Sequence, residues 1–163
     1  MDLICLDFEA SGLGLRSYPI EVAWRDAATG ADDSFLINPD QVSGWEEWSE
    51  NAEAIHHISR DVLLAEGLGV QQACRRLNRA LEGRTVYCDA LEFDLFWLRR
   101  LYDAAGMRPM FRLLGLESLL KGESLQRFLN VIAKQQRRHR ALDDVADLIR
   151  ALEYAFSADT SAD

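Results

Sequence analysis

The sequence predicts an α/β fold, one mixed sheet with helices packed on it. Three observations carry this expectation. Strand-like apolar runs crowd the first 38 residues. From residue 69 onward, helical stripes alternate with short apolar runs. No linker rich in Pro, Gly or Ser separates two cores, and no internal repeat is present. Strands first, then helix and strand in alternation, is the order of a mixed sheet covered by helices.

Residues 2–8 (DLICLDF) form a short apolar run ended by Glu9, Ser11 and Gly12, which reads as a buried strand entering a turn. Residues 19–25 (PIEVAWR) and 33–38 (DSFLIN, stopped by Pro39) read as two more strands. Such close spacing implies an antiparallel meander. Residues 40–68 read as irregular; their two tryptophans, Trp45 and Trp48, are expected to pack on the core rather than form a lid or an interface. A helix over 69–82 ends at Gly83, followed by a strand over 84–88, a helix over 91–105 and a short strand near 110–114. Helical segments over 115–136 and a final helix over 141–156 complete the chain. Residues 1–156 are read as a single domain and residues 157–163 (SADTSAD), which lack apolar periodicity, as a loose tail.

Of the 163 residues, 48% are hydrophobic, which supports a real core and excludes a disordered or collagen-like chain. No window approaches the roughly 18 apolar residues of a membrane span. The first ten residues, MDLICLDFEA, are acidic where a signal peptide would be basic. A cytoplasmic protein with no membrane partner is expected. Cys5, Cys74 and Cys88 show no CxxC spacing and read as small buried hydrophobes. The net charge of −9 argues against coating duplex DNA through many phosphate contacts. It does not argue against a local site with its own counter-charge.

The carboxylates stand in unusual places. Asp7 and Glu9 lie two apart at the end of an apolar strand, so both side chains point to one face. Either the strand has ended and both are solvated, or a hard cation such as Mg²⁺ or Mn²⁺ relieves their repulsion. Asp94 projects about 60° from the stripe formed by Leu91, Leu95, Leu98 and Tyr102, and so borders a buried face. A rim carboxylate paired with an Arg or a backbone N–H, or a ligand, would sit there. In the last helix Asp143 and Asp147 point away from the apolar face, while Asp144 is on its boundary. His139 lies just before that helix. A lone histidine is more often structural, but beside carboxylates it can serve as a general base near neutral pH.

Taken together, these residues resemble the DEDDh group of DnaQ-like 3′–5′ exonucleases, in order through most of the chain. Residues 7–13 (DFEASGL) resemble the first motif, and residues 55–59 (IHHIS) an Ile-His-Gly-Ile-Thr segment with His57 where Gly is usual. Residues 89–94 (DALEFD) resemble the second motif, although Ala90 stands where Asn is common and Asp89 precedes it. Residues 139–144 (HRALDD) match the third, and a His at this position marks the DEDDh subgroup.

The resemblance implies a ribonuclease H-like fold with a five-stranded mixed sheet. It implies two divalent cations, Mg²⁺ or Mn²⁺, on Asp7, Glu9, Asp94 and Asp144, with His139 as general base. The implied activity is hydrolysis of single-stranded RNA or DNA 3′ ends to nucleoside 5′-monophosphates. A homodimer is an expectation by analogy. On the first-motif turn, Ala10, Ser11 and Leu13 are expected to contact the terminal nucleotide, with Leu13 as an apolar wedge or ordinary packing. His56 could hydrogen-bond that nucleotide or lie on the surface. Glu21 could orient a base or sugar, or join an interior polar network.

The run Lys134, Arg137, Arg138, His139, Arg140 adjoins the expected base, and Arg138 is taken as its phosphate contact; a solvated charge run is the other reading. Phe8, Phe93 and Trp97 are expected in the core rather than as stacking platforms. A catalytically weak exonuclease-like module that binds nucleic acid or protein is the alternative function. The intact Asp, Glu, Asp, His, Asp set weighs against it.

Overall fold

The computed structural model describes residues 2–157. Its centre is β1 (Ile4–Ala10), flanked by β2 (Pro19–Asp26) and β4 (Thr85–Cys88), with β3 (Asp32–Leu36) and β5 (Arg112–Gly115) at the edges. The order is β3-β2-β1-β4-β5. β1, β2 and β3 pair antiparallel, while β1–β4 and β4–β5 pair parallel. The meander and the mixed five-stranded sheet are therefore formed as expected. The helices are α1 (Glu50–His56), α2 (Arg60–Glu66), α3 (Val70–Leu81), α4 (Leu91–Ala105), α5 (Gly122–Ile132) and α6 (Ala141–Ser157).

Alternation along β1 divides the core in two. Ile4, Leu6 and Phe8 join a cluster with Leu77, Leu98 and Leu101 of α3 and α4. Leu3 and Cys5 join a second cluster with Val145, Leu148 and Leu152 of α6. Continuing the odd-numbered series, Asp7 and Glu9 extend the face that α6 covers. All three cysteines are buried, and burial raises their thiols, Cys5 and Cys74 to about 12.

The structure differs from the sequence reading in several places. β1 runs on through Ala10, so Asp7 and Glu9 are strand residues and not the start of a loop. Residues 40–68 contain two seven-residue helices, too short to show an apolar stripe. Each is started by a serine: Ser49 Oγ accepts from the Ala52 N–H, and Ser59 Oγ from the Val62 N–H. Residues 115–136 divide into a 3₁₀ turn (Leu116–Ser118) and α5. Ser157, read as the first residue of the tail, closes α6; the other tail residues lie outside the described residues. No helix among the described residues is long and apolar enough to cross a membrane.

The segment leading into α1 is pinned by aromatic packing, as the reading of its tryptophans supposed. Trp45 is 3% exposed and stacks on buried Tyr18 with centroids 5.2 Å apart. The Tyr18 Oη accepts from Arg60 at 2.6 Å, which ties α2 to the same ring. Trp48 donates through Nε1 to Glu53 at 2.7 Å and meets His56 edge to face. Removing the Trp45 ring leaves a void that this rigid stack does not collapse into. Trp45→Ala is expected to cost about 3–5 kcal/mol in a urea unfolding curve.

Candidate active site

The five residues singled out by the motifs come from four places and line one cavity of about 550 Å³. Asp7 and Glu9 project from β1. Asp94 sits in the first turn of α4 and Asp144 in the first turn of α6, where a helix N-terminus favours negative charge. His139 stands two residues before α6 in left-handed backbone, φ 53°. A non-glycine residue held there stores on the order of 1–3 kcal/mol of strain. Ligating atoms of Glu9, His139 and Asp144 lie within 4.8 Å of one another. Asp7 and Asp94 line the same cavity as that trio.

Crowding and burial act on the four acids in one direction. Burial first, then the Asp144 and Glu21 charges, push Glu9 up to about 8. Asp7 is raised well above the carboxylate range by burial and then by Asp94, Glu9 and Asp144. Burial likewise raises Asp94 and Asp144, and Arg137 and His139 work against the rise at Asp144. Asp94 is 2% exposed and its Oδ2 has no hydrogen-bond partner; the same holds for Oδ1 of Asp144, which is 8% exposed. Unpartnered buried carboxylate oxygens call for a proton or a cation. An all-oxygen set with one imidazole beside it suits a hard divalent ion.

No protein-family model and no curated protein matches the sequence. Solved structures do match. The zinc-bound complex of Escherichia coli exonuclease I with single-stranded DNA has a TM-score of 0.73 at 13% identity, over 97% of this chain and 41% of that one. Escherichia coli exonuclease I with a dA16 oligonucleotide gives the same TM-score and identity, over 98% and 41%. Exonuclease I from Methylocaldum szegediense gives 0.68 at 16% identity, over 98% and 41%. The chain thus spans about two-fifths of the length of these proteins. The fold is ribonuclease H-like.

Within this ribonuclease H-like frame the remaining wall of the cavity comes from the first-motif turn, α1 and α4. Ala10 is buried at the cavity's edge, and Leu13 lines its mouth while 75% exposed. His56, for which a surface position was one reading, is 2% exposed. Its Nδ1 accepts from the Ile58 N–H at 3.0 Å, and its Nε2 has no partner. Burial lowers its pKa, which favours the neutral ring, and the ring lines the cavity wall with Nε2 enclosed. His57 is the C-cap of α1 with φ 59°, a left-handed position at which glycine is common.

Other expectations are redirected. Ser11 does not line the cavity; its N–H and Oγ bond Tyr18, and its C=O accepts from the Ser49 N–H. Its role is to fix the turn. Arg138 faces away, paired with Asp143 at 3.2 Å and Asp147 at 3.6 Å; Asp147 is correspondingly less solvated than its helical position suggests. Arg137 lines the cavity in its place. Phe8 and Trp97 are core residues, and Trp97 donates to Ser17 Oγ at 3.0 Å. Phe93, expected in the core, is 39% exposed at the cavity mouth beside Ile55. Its place next to Asp94 at the start of a helix was the available signal.

The raised acids have a measurable consequence. The folded protein holds a proton on Glu9 that the unfolded chain, with a carboxyl near 4.5, has released. Without divalent cations, stability therefore falls as pH rises from about 4.5 to about 8. A bound cation takes the proton's place. Thermal melts with and without Mn²⁺ are expected to differ more at pH 8 than at pH 6. Asp7→Asn is expected to raise the metal-free melting temperature at pH 8 and to shrink the Mn²⁺ shift.

Proposed function

We propose that the chain is a metal-dependent 3′–5′ exonuclease that hydrolyses single-stranded nucleic-acid 3′ ends to nucleoside 5′-monophosphates. The observation that carries this reading is the convergence of Asp7, Glu9, Asp94, Asp144 and His139 in one cavity, with buried carboxylate oxygens left unpartnered. The fold supports it, and so does the company of structures solved with single-stranded DNA. Without counter-charge, four acids would repel a phosphodiester. Two divalent cations, Mg²⁺ or Mn²⁺, held by Asp7, Glu9, Asp94 and Asp144, would supply Lewis acidity and neutralise that charge.

The chain's own groups account for the rest. His139 takes the proton of the attacking water, close to Glu9 and Asp144. Leu13, Ile55 and Phe93 give the terminal base an apolar seat. His56 lines the cavity wall beside the place of the terminal nucleotide. Ala10, small and buried, lets the sugar approach the strand backbone.

The test is release of mononucleotide from matched 3′-labelled RNA and DNA, with EDTA as control. Asp7→Ala is expected to abolish release. His139→Ala is expected to lower kcat by about 10²–10⁴ while Mn²⁺ binding by calorimetry is retained. Absence of metal-dependent release from either polymer by the wild type would sink the proposal and favour a binding module. The ratio of RNA to DNA turnover reads whether a group on this chain senses the 2′-OH.

A further inference from the structure

The basic run before α6 has an arrangement that a strand-tracking patch would not have: Arg137, Arg138 and Arg140 are each committed to an acid of this chain. Arg140 reaches Glu21 on β2, with Nη2 donating at 2.7 Å and Nε at 3.2 Å. Glu21 is 4% exposed, and its Oε1 also accepts the N–H of Ala141, the first residue of α6, at 2.7 Å. Arg137 pairs with Asp89, just after β4. Arg138 turns back onto Asp143 and Asp147 of α6. The segment between α5 and α6 has no regular structure over 136–140, yet it carries His139 in left-handed backbone. Strained backbone persists only where its surroundings over-determine it. Here the surroundings are two acids on opposite sides of β1: Glu21 on one neighbouring strand, in register with Glu9, and Asp89 beyond the other.

We propose that Glu21 and Asp89 are positioning residues, which clamp the His139 segment across the sheet by gripping Arg140 and Arg137. The basic run then serves the geometry of the base and not the capture of phosphates. Asp89 is the chain's own departure from the motif it resembles, and the clamp gives that departure a role. Glu21 has a double hold, since it fixes both the arginine beside His139 and the start of the helix that bears Asp144.

This rests on the proposed exonuclease reading, and the experiment separates the two. Hydrogen exchange over residues 134–144 needs no turnover. Glu21→Ala and Asp89→Ala are expected to raise exchange there by at least tenfold, with exchange over α3 and α4 unchanged. In the nuclease assay both variants are expected to lose tenfold or more in kcat, with KM for the oligonucleotide within twofold. Arg140→Lys is expected to recover part of the loss seen in Arg140→Ala. The charge-swapped pair Asp89→Arg with Arg137→Asp is expected to outperform either single variant. A rise in KM with kcat kept would overturn the clamp and make the arginines phosphate contacts. Unchanged exchange over 134–144 in both alanine variants would overturn it even if no nuclease activity were found.

Discussion

Everything at the functional end of this protein follows from one electrostatic constraint. Four carboxylates line one cavity, where burial makes all four harder to ionise and where Asp7 and Glu9 are raised further by their acidic neighbours. Such a cluster is unstable as a set of bare charges. It persists by holding protons, by admitting cations, or by borrowing charge from Arg137 and His139. The apolar packing of both cores supplies the stability against which that repulsion is set, and a divalent ion bound there would offset it.

The sheet makes the gathering possible. β1 is central, parallel to one neighbour and antiparallel to the other, so its C-terminal end opens beside the starts of α4 and α6. Strand alternation puts Asp7 and Glu9 on the face that α6 covers, and the first turn of α6 delivers Asp144 to them. Asp94 arrives at the head of the helix that follows β4. Backbone geometry brings each acid to the cavity, and backbone hydrogen bonds also hold Asp94 and Asp144 there.

Much of this was legible because periodicity and spacing report backbone directly. The α4 span was read to the residue, and the helical phase of Asp144 against Asp143 separated a buried ligand candidate from a half-exposed neighbour. What the sequence hid had physical causes. α1 and α2 are too short to carry an amphipathic stripe, so only the serines before them could have announced them. The turning of Arg138 outward and Arg137 inward lies in an irregular segment, where no period tells which way a side chain faces. Ser11 looked like a substrate contact because it follows the motif acids, but its polar groups are taken by Tyr18 and Ser49.

α1 supplies none of the acids and not the general-base candidate, yet it furnishes Ile55 and His56 to the wall opposite them. It is anchored through Ser49 to the turn after β1 and through Trp48 to its own Glu53, not to the α6 face. The two parts of the cavity are thus joined at the turn that follows β1 and otherwise carried on different helices. Substitution at Ile55 in this short helix can reshape the apolar part of the wall while leaving the four acids in place.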